Sequence, residues 1–132
     1  MTTNELEQLA TSLNITLTTH NEGNKGWYHH DSNTISLRSD LRAANYRCTL
    51  AHELAHALAG DEPTGIDHFD RRMERAADMV AANMLIAPED YETAETLYGP
   101  HAGAIARELG VTRHLLTVWQ DSHEKECHYE LA

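Results

Sequence analysis

Thr49-Leu-Ala-His-Glu-Leu-Ala-His-Ala57 is the stretch whose reading decides the rest. Leu50, Ala51, Leu54, Ala55, Ala57 and the following Leu58 make it apolar nearly all round, as in a buried helix. Helical texture extends from Ala43 to Ala59, a span with few turn formers. Gly60 then stands where a helix C-cap is expected, with Pro63 soon after. A helix buried this way must account for its polar side chains, since an unpaired one costs on the order of 1–3 kcal/mol. His52, Glu53 and His56 are therefore the residues to explain.

Residues four apart share a helix face, so the imidazoles of His52 and His56 can reach one metal ion. Neutral imidazole nitrogen suits zinc at about 2.0–2.1 Å. Glu53 lies about 100° round the helix from His52, beside such an ion rather than on it. There a carboxylate can take a proton from water activated by zinc and later deliver it to a leaving amine. The plainer alternative is a core helix with two satisfied histidines. Ten histidines in 132 residues make chance motifs common, so the surroundings must supply support.

A catalytic zinc site needs a third protein ligand and one open position. If residues 71–86 are helical, their buried stripe runs Glu74, Ala77, Asp78, Ala81, Leu85, which places two acids on the face that should be apolar. Buried carboxylates are rarely tolerated unless paired or metal-bound. Glu74 is the expected ligand. Asp78, one turn on, would accept the free N–H of a liganding histidine. The reverse, Asp78 on the metal with Glu74 behind it, stays open, as does an ordinary helix whose acids face solvent.

The rest of the chain fits an α+β fold: a small N-terminal antiparallel three-stranded sheet packed on a helical core that carries the His-Glu-x-x-His helix. Residues 3–14 read as an amphipathic helix through Leu6, Leu9, Ala10 and Leu13. Ile15 to Thr19, Trp27-Tyr28 and Thr34 to Leu37 read as strands, separated by turn clusters at Asn21–Gly26 and Asp31–Asn33. Asp61 to Asp67 reads as a loop and 89–98 as a short helix. A helix pair around Gly110 fills 101–120, and 121–132 is a tail. At 14.8 kDa the chain is the size of one domain.

Composition narrows the function classes. No apolar run approaches the roughly 20 residues of a membrane helix, and Met1 to Leu9 lacks the pattern of a secretory signal. A cytoplasmic location is expected. Cys48 and Cys127 give no disulfide framework. The 10 Lys plus Arg against 21 acids and a formal charge of -11 argue against a broad phosphate-binding surface, and direct nucleic-acid binding is not expected.

On these residues the chain resembles the ImmA/IrrE family of zinc metallopeptidases, over roughly Ile15 to Leu116. The resemblance rests on Thr34-Ile-Ser-Leu, then Leu41, then Thr49-Leu-Ala-His-Glu-Leu-Ala-His-Ala, then Glu74-Arg-Ala-Ala-Asp-Met-Val-Ala-Ala and Leu85-Ile-Ala-Pro88. Val80 and Ala87 stand where the family usually has an aromatic and a Met, and one extra residue separates Val80 from Pro88. The resemblance implies a minimal gluzincin-like single metallopeptidase domain over 1–132, with one zinc and with a sheet edge that aligns a peptide by backbone hydrogen bonds. It also implies a regulatory endopeptidase that cleaves a transcriptional repressor of a phage or mobile element. The alternative is a non-catalytic zinc-binding regulator that binds a repressor or toxin partner.

Weaker signals remain. Ala106-Arg-Glu-Leu-Gly-Val-Thr-Arg-His-Leu-Leu resembles a helix-turn-helix core, with Thr112 able to cap its second helix. With only Arg107 and Arg113 as cations, a helical hairpin packing on the core is the simpler reading. His29 and His30, one of which faces each side of a strand, and His68 and His101 are candidates to line the cleft. His123, Cys127 and His128 form a soft-ligand cluster in an acidic tail.

Overall fold

The computed structural model describes the backbone of residues 1–131 and the side chains of residues 1–124. Cys127 and His128 thus lie outside the described side chains. The chain opens with α1 (Thr3–Ser12), followed by β1 (Thr16–His20), β2 (Gly26–His29) and β3 (Thr34–Arg38). Five helices complete it: α2 (Ala43–Ala59), α3 (Asp67–Leu85), α4 (Pro88–Tyr98), α5 (Ala102–Leu109) and α6 (Arg113–Leu131). The α+β class holds. No helix among the described residues is long and apolar enough to cross a membrane.

The sheet corrects the expected antiparallel meander. Its order is β1-β3-β2, with β1 parallel and β2 antiparallel to β3. Burial explains the order. Ile35, Ser36 and Leu37 of β3 are all buried, whereas β1 and β2 keep exposed positions. The strand with the most apolar surface to hide takes the centre, and the more polar ones take the edges.

Local chemistry sets the helix ends. Thr2 and Glu5 form a reciprocal capping box on α1. α2 ends at Gly60, whose φ of 68° is left-handed, and Asp61 N–H donates back to the His56 carbonyl at 3.0 Å. This is the Schellman closure that glycine permits. α3 starts at Asp67, a turn earlier than the apolar pattern shows. Its Asp70 carboxylate accepts from the Thr64 and Gly65 backbone and holds the preceding loop against its first turn. Pro88 opens α4, as suits a position whose N–H would have no partner. Gly110, again left-handed, separates α5 from α6, and Thr112 Oγ1 accepts from Leu115 N–H as expected.

α2 is the hub. It packs on α1, on β2 and β3, and most extensively on α3, while α6 closes over α3. Leu50, Ala51 and Leu54 are fully buried, and the small buried residues Ala77 and Ala81 on α3 let the two helices approach closely. Arg47 ties the periphery to this hub by donating to the Leu109 and Gly110 carbonyls at 2.9 and 3.0 Å.

Candidate metal centre

Four residues apart on α2, His52 and His56 present their rings edge to face, with centroids 4.7 Å apart. Their Nε2 atoms approach to 3.1 Å. α3 brings the Glu74 carboxylate onto the same point, Oε2 lying 2.7 Å from His52 Nε2 and Oε1 3.1 Å from His56 Nε2. The three residues could hold a metal ion: one ligand atom from each lies within 4.8 Å of the others.

The far side of each imidazole shows what this convergence means. His52 Nδ1 lies 2.8 Å from Asp78 Oδ1, and His56 Nδ1 lies 2.9 Å from Asp61 Oδ2. An ionised carboxylate only accepts, so each Nδ1 donates, and in the neutral form of each ring Nε2 is the atom left with a free lone pair. Two lone pairs and an anionic carboxylate then face one another at contact distance. That arrangement repels itself unless a cation or a proton sits among the donors, and the nitrogen and oxygen donor set is one that zinc accepts. The residues fit the metal.

Without a metal the proton does this work. Burial acts to lower the His52 pKa, but the Asp78 hydrogen bond and the charges of Glu53 and Asp78 outweigh it and lift it to about 9. Burial also pushes Asp78 up, yet its hydrogen bonds to His52 and His114 prevail and hold it below the usual carboxylate range. Glu53 is buried in the cleft wall and shifts upward, because desolvation outweighs the opposing histidines.

A cleft of about 910 Å³ opens over this cluster, lined among others by Gly26, Trp27, Tyr28, Thr49, Glu62 and Met73. β2 is an edge strand, so one of its sides is not paired within the sheet. Gly26 seats β2 tightly on α2: a Cβ there would lie 2.7 Å from Thr49 Cγ2 and 3.3 Å from Glu53 Cγ. Only glycine allows the strand to run this close to Glu53.

Several expectations need correction. Glu74 is not part of a buried stripe, for its side chain is 61% exposed. The buried line is Ala77, Ala81 and Leu85, and Glu74 stands one turn earlier, at the open cleft. Asp78 contacts His52 from the side away from Glu74, which fits a backing position rather than a ligand. His29, His30, His68 and His101 are exposed and do not line the cleft. His29 ends β2 and His30 follows it in the turn, the His68 ring lies tilted beside Phe69, and His101 occupies the N-cap position of α5 without a side-chain hydrogen bond to it. Two cleft residues went unread. Asp61 had a signal, because a glycine-closed helix end folds the next residue back beneath its last turn. His114, whose Nε2 donates to Asp78 Oδ2 at 2.8 Å, had none.

Comparison with known proteins agrees with the geometry. The family model for peptidase M78, described as the IrrE N-terminal-like domain, matches residues 10–117. No curated protein matches the chain.

Proposed function

We propose a function from one premise: the chain belongs to the peptidase M78 family, the IrrE N-terminal-like domains. It acts as a zinc-dependent endopeptidase, with the ion on His52, His56 and Glu74. The observation that carries this reading is the convergence of two Nε2 atoms and a carboxylate on one point in an open cleft. When bound, zinc supplies a Lewis acid that polarises a peptide carbonyl and brings the pKa of a water down to about 7.

The chain's own residues do the rest. Glu53 removes a proton from the attacking water as its oxygen bonds to the carbonyl carbon. It returns that proton to the amide nitrogen as the C–N bond breaks, leaving a carboxylic acid and an amine, and the acid's remaining proton then passes to the amine or to solvent. Asp78 and Asp61 hold the two imidazoles in the tautomer that leaves Nε2 free. The unpaired side of β2 offers N–H and C=O groups to an extended peptide, and the tight seat at Gly26 brings that peptide beside Glu53. From the family resemblance we infer that the protein substrate is a transcriptional repressor of a mobile element, met in the cytoplasm, and that residues 1–132 act as one metallopeptidase domain.

The test compares wild type with Glu53→Gln, both zinc-loaded, on a proteome-derived peptide library, with new termini read by mass spectrometry. Equal zinc content and a loss of about 100-fold or more in cleavage is expected for the variant. Full cleavage by Glu53→Gln would remove the general base. A wild type that holds zinc but cuts nothing would favour the non-catalytic regulator.

A further inference from the structure

Asp78 serves two imidazoles at once. Oδ1 accepts from His52 Nδ1 and Oδ2 accepts from His114 Nε2, both at 2.8 Å. The chain of contacts therefore runs from α6 through α3 to α2, and His114 is the member that the proposed chemistry does not use. His114 lines the cleft yet is 71% exposed at its side chain, so burial does not require it to be where it is. What fixes it is its backbone. Leu115 and Leu116, next in sequence, are buried at 2% and 0% exposure, and Thr112 caps the turn beneath them. A rigid helix start thus presents an exposed imidazole to one particular carboxylate oxygen.

The terminal torsion of an aspartate is soft, with broad and roughly two-fold preferences. Held by His52 alone, the Asp78 carboxylate could rock and carry the imidazole with it. With each oxygen bonded to a different ring it cannot rotate without breaking one bond. We propose that His114 is a positioning residue of the metal centre: it locks the Asp78 carboxylate, and through it the His52 ring, so that metal affinity depends on the C-terminal helix. This inference rests on the reading of His52, His56 and Glu74 as ligands. Partners that orient a ligand directly are worth about 10–100-fold in metal affinity. His114 stands one step further out, so the effect belongs at the lower end.

Zinc dissociation constants of the full chain, measured by competition with a chromophoric chelator, provide the test as a double-mutant cycle. His114→Leu should weaken zinc about 10-fold and shift the visible spectrum of the cobalt-substituted protein. His114→Gln, whose amide can still donate, should recover most of the loss. In an Asp78→Ala background, His114→Leu should change nothing further, which a merely structural role would not produce. An unchanged dissociation constant in His114→Leu, or an equal loss in both backgrounds, overturns the proposal and leaves the metal site intact. A wild-type chain that does not bind zinc overturns both.

Discussion

The two helices that form the candidate metal centre are built on opposite plans. α2 is buried on several sides, and Glu53 and His56 sit within its core-facing surface at 6% and 7% exposure. α3 is polar along most of its length and touches the core through one line of small residues, Ala77, Ala81 and Ala82, with Leu85 at its end. Its member of the candidate site, Glu74, stands in the open. The core itself holds the two imidazoles, whereas the carboxylate is placed by an alanine seam and by its contacts to the histidines. One half of the site is bound up with folding, and the other half is free to be changed.

The largest expected effect separates these halves directly. His56→Ala should take zinc from about one ion per chain to near none. It should also destabilise the metal-free protein by about 1–3 kcal/mol, because Asp61 loses its partner in a mostly buried setting. Glu74→Gln should lower zinc occupancy too, but alter metal-free stability by no more than about 0.5 kcal/mol, as for other exposed positions. Metal analysis and urea unfolding read the two quantities. Equal destabilisation by both variants would break the comparison.

Where zinc is left in place, the contrast extends to residues with no part in the chemistry. Leu54 lies between the two histidines and is fully buried, so Leu54→Ala should cost about 2–5 kcal/mol. Met79, directly after Asp78, is 47% exposed, and Met79→Ala should stay within about 0.5 kcal/mol. A Met79 effect as large as that of Leu54 would mean that the outer face of α3 is covered by something.

The same contrast sets what could be read before any coordinates. α2 was legible to the residue, Ala43–Ala59, because its apolar run and Gly60 are local signals. Glu74 and Asp78 were legible as a pair of acids on a helix, but their exposure was not. An acid three residues before a buried line can turn into the core or out to a cleft, and only the neighbouring helix decides. The parallel pairing of β1 with β3 was hidden for a related reason. Adjacency in sequence favours a meander, whereas strand order follows the burial of Ile35 and Leu37, which is a property of the whole fold. His114 was out of reach altogether, since its partner lies 36 residues away and nothing in its own surroundings marks it.

The smallest effect tests whether α2 also supplies its own backing. Asp78 reaches His52 from another helix, but Asp61 reaches His56 from the turn that ends α2 itself, five residues on. Asp61→Asn keeps an oxygen that can accept from Nδ1 and removes the negative charge behind the ring. The turn should survive, because Gly60 and the Asp61 N–H, which close it on the His56 carbonyl, are unchanged. Zinc affinity should therefore fall about 10-fold, with metal-free melting unaltered. An unchanged dissociation constant would show that the helix end only happens to touch its histidine. Loss as complete as that of His56→Ala would show that the turn, and not the buried helix, is what holds the second imidazole in place.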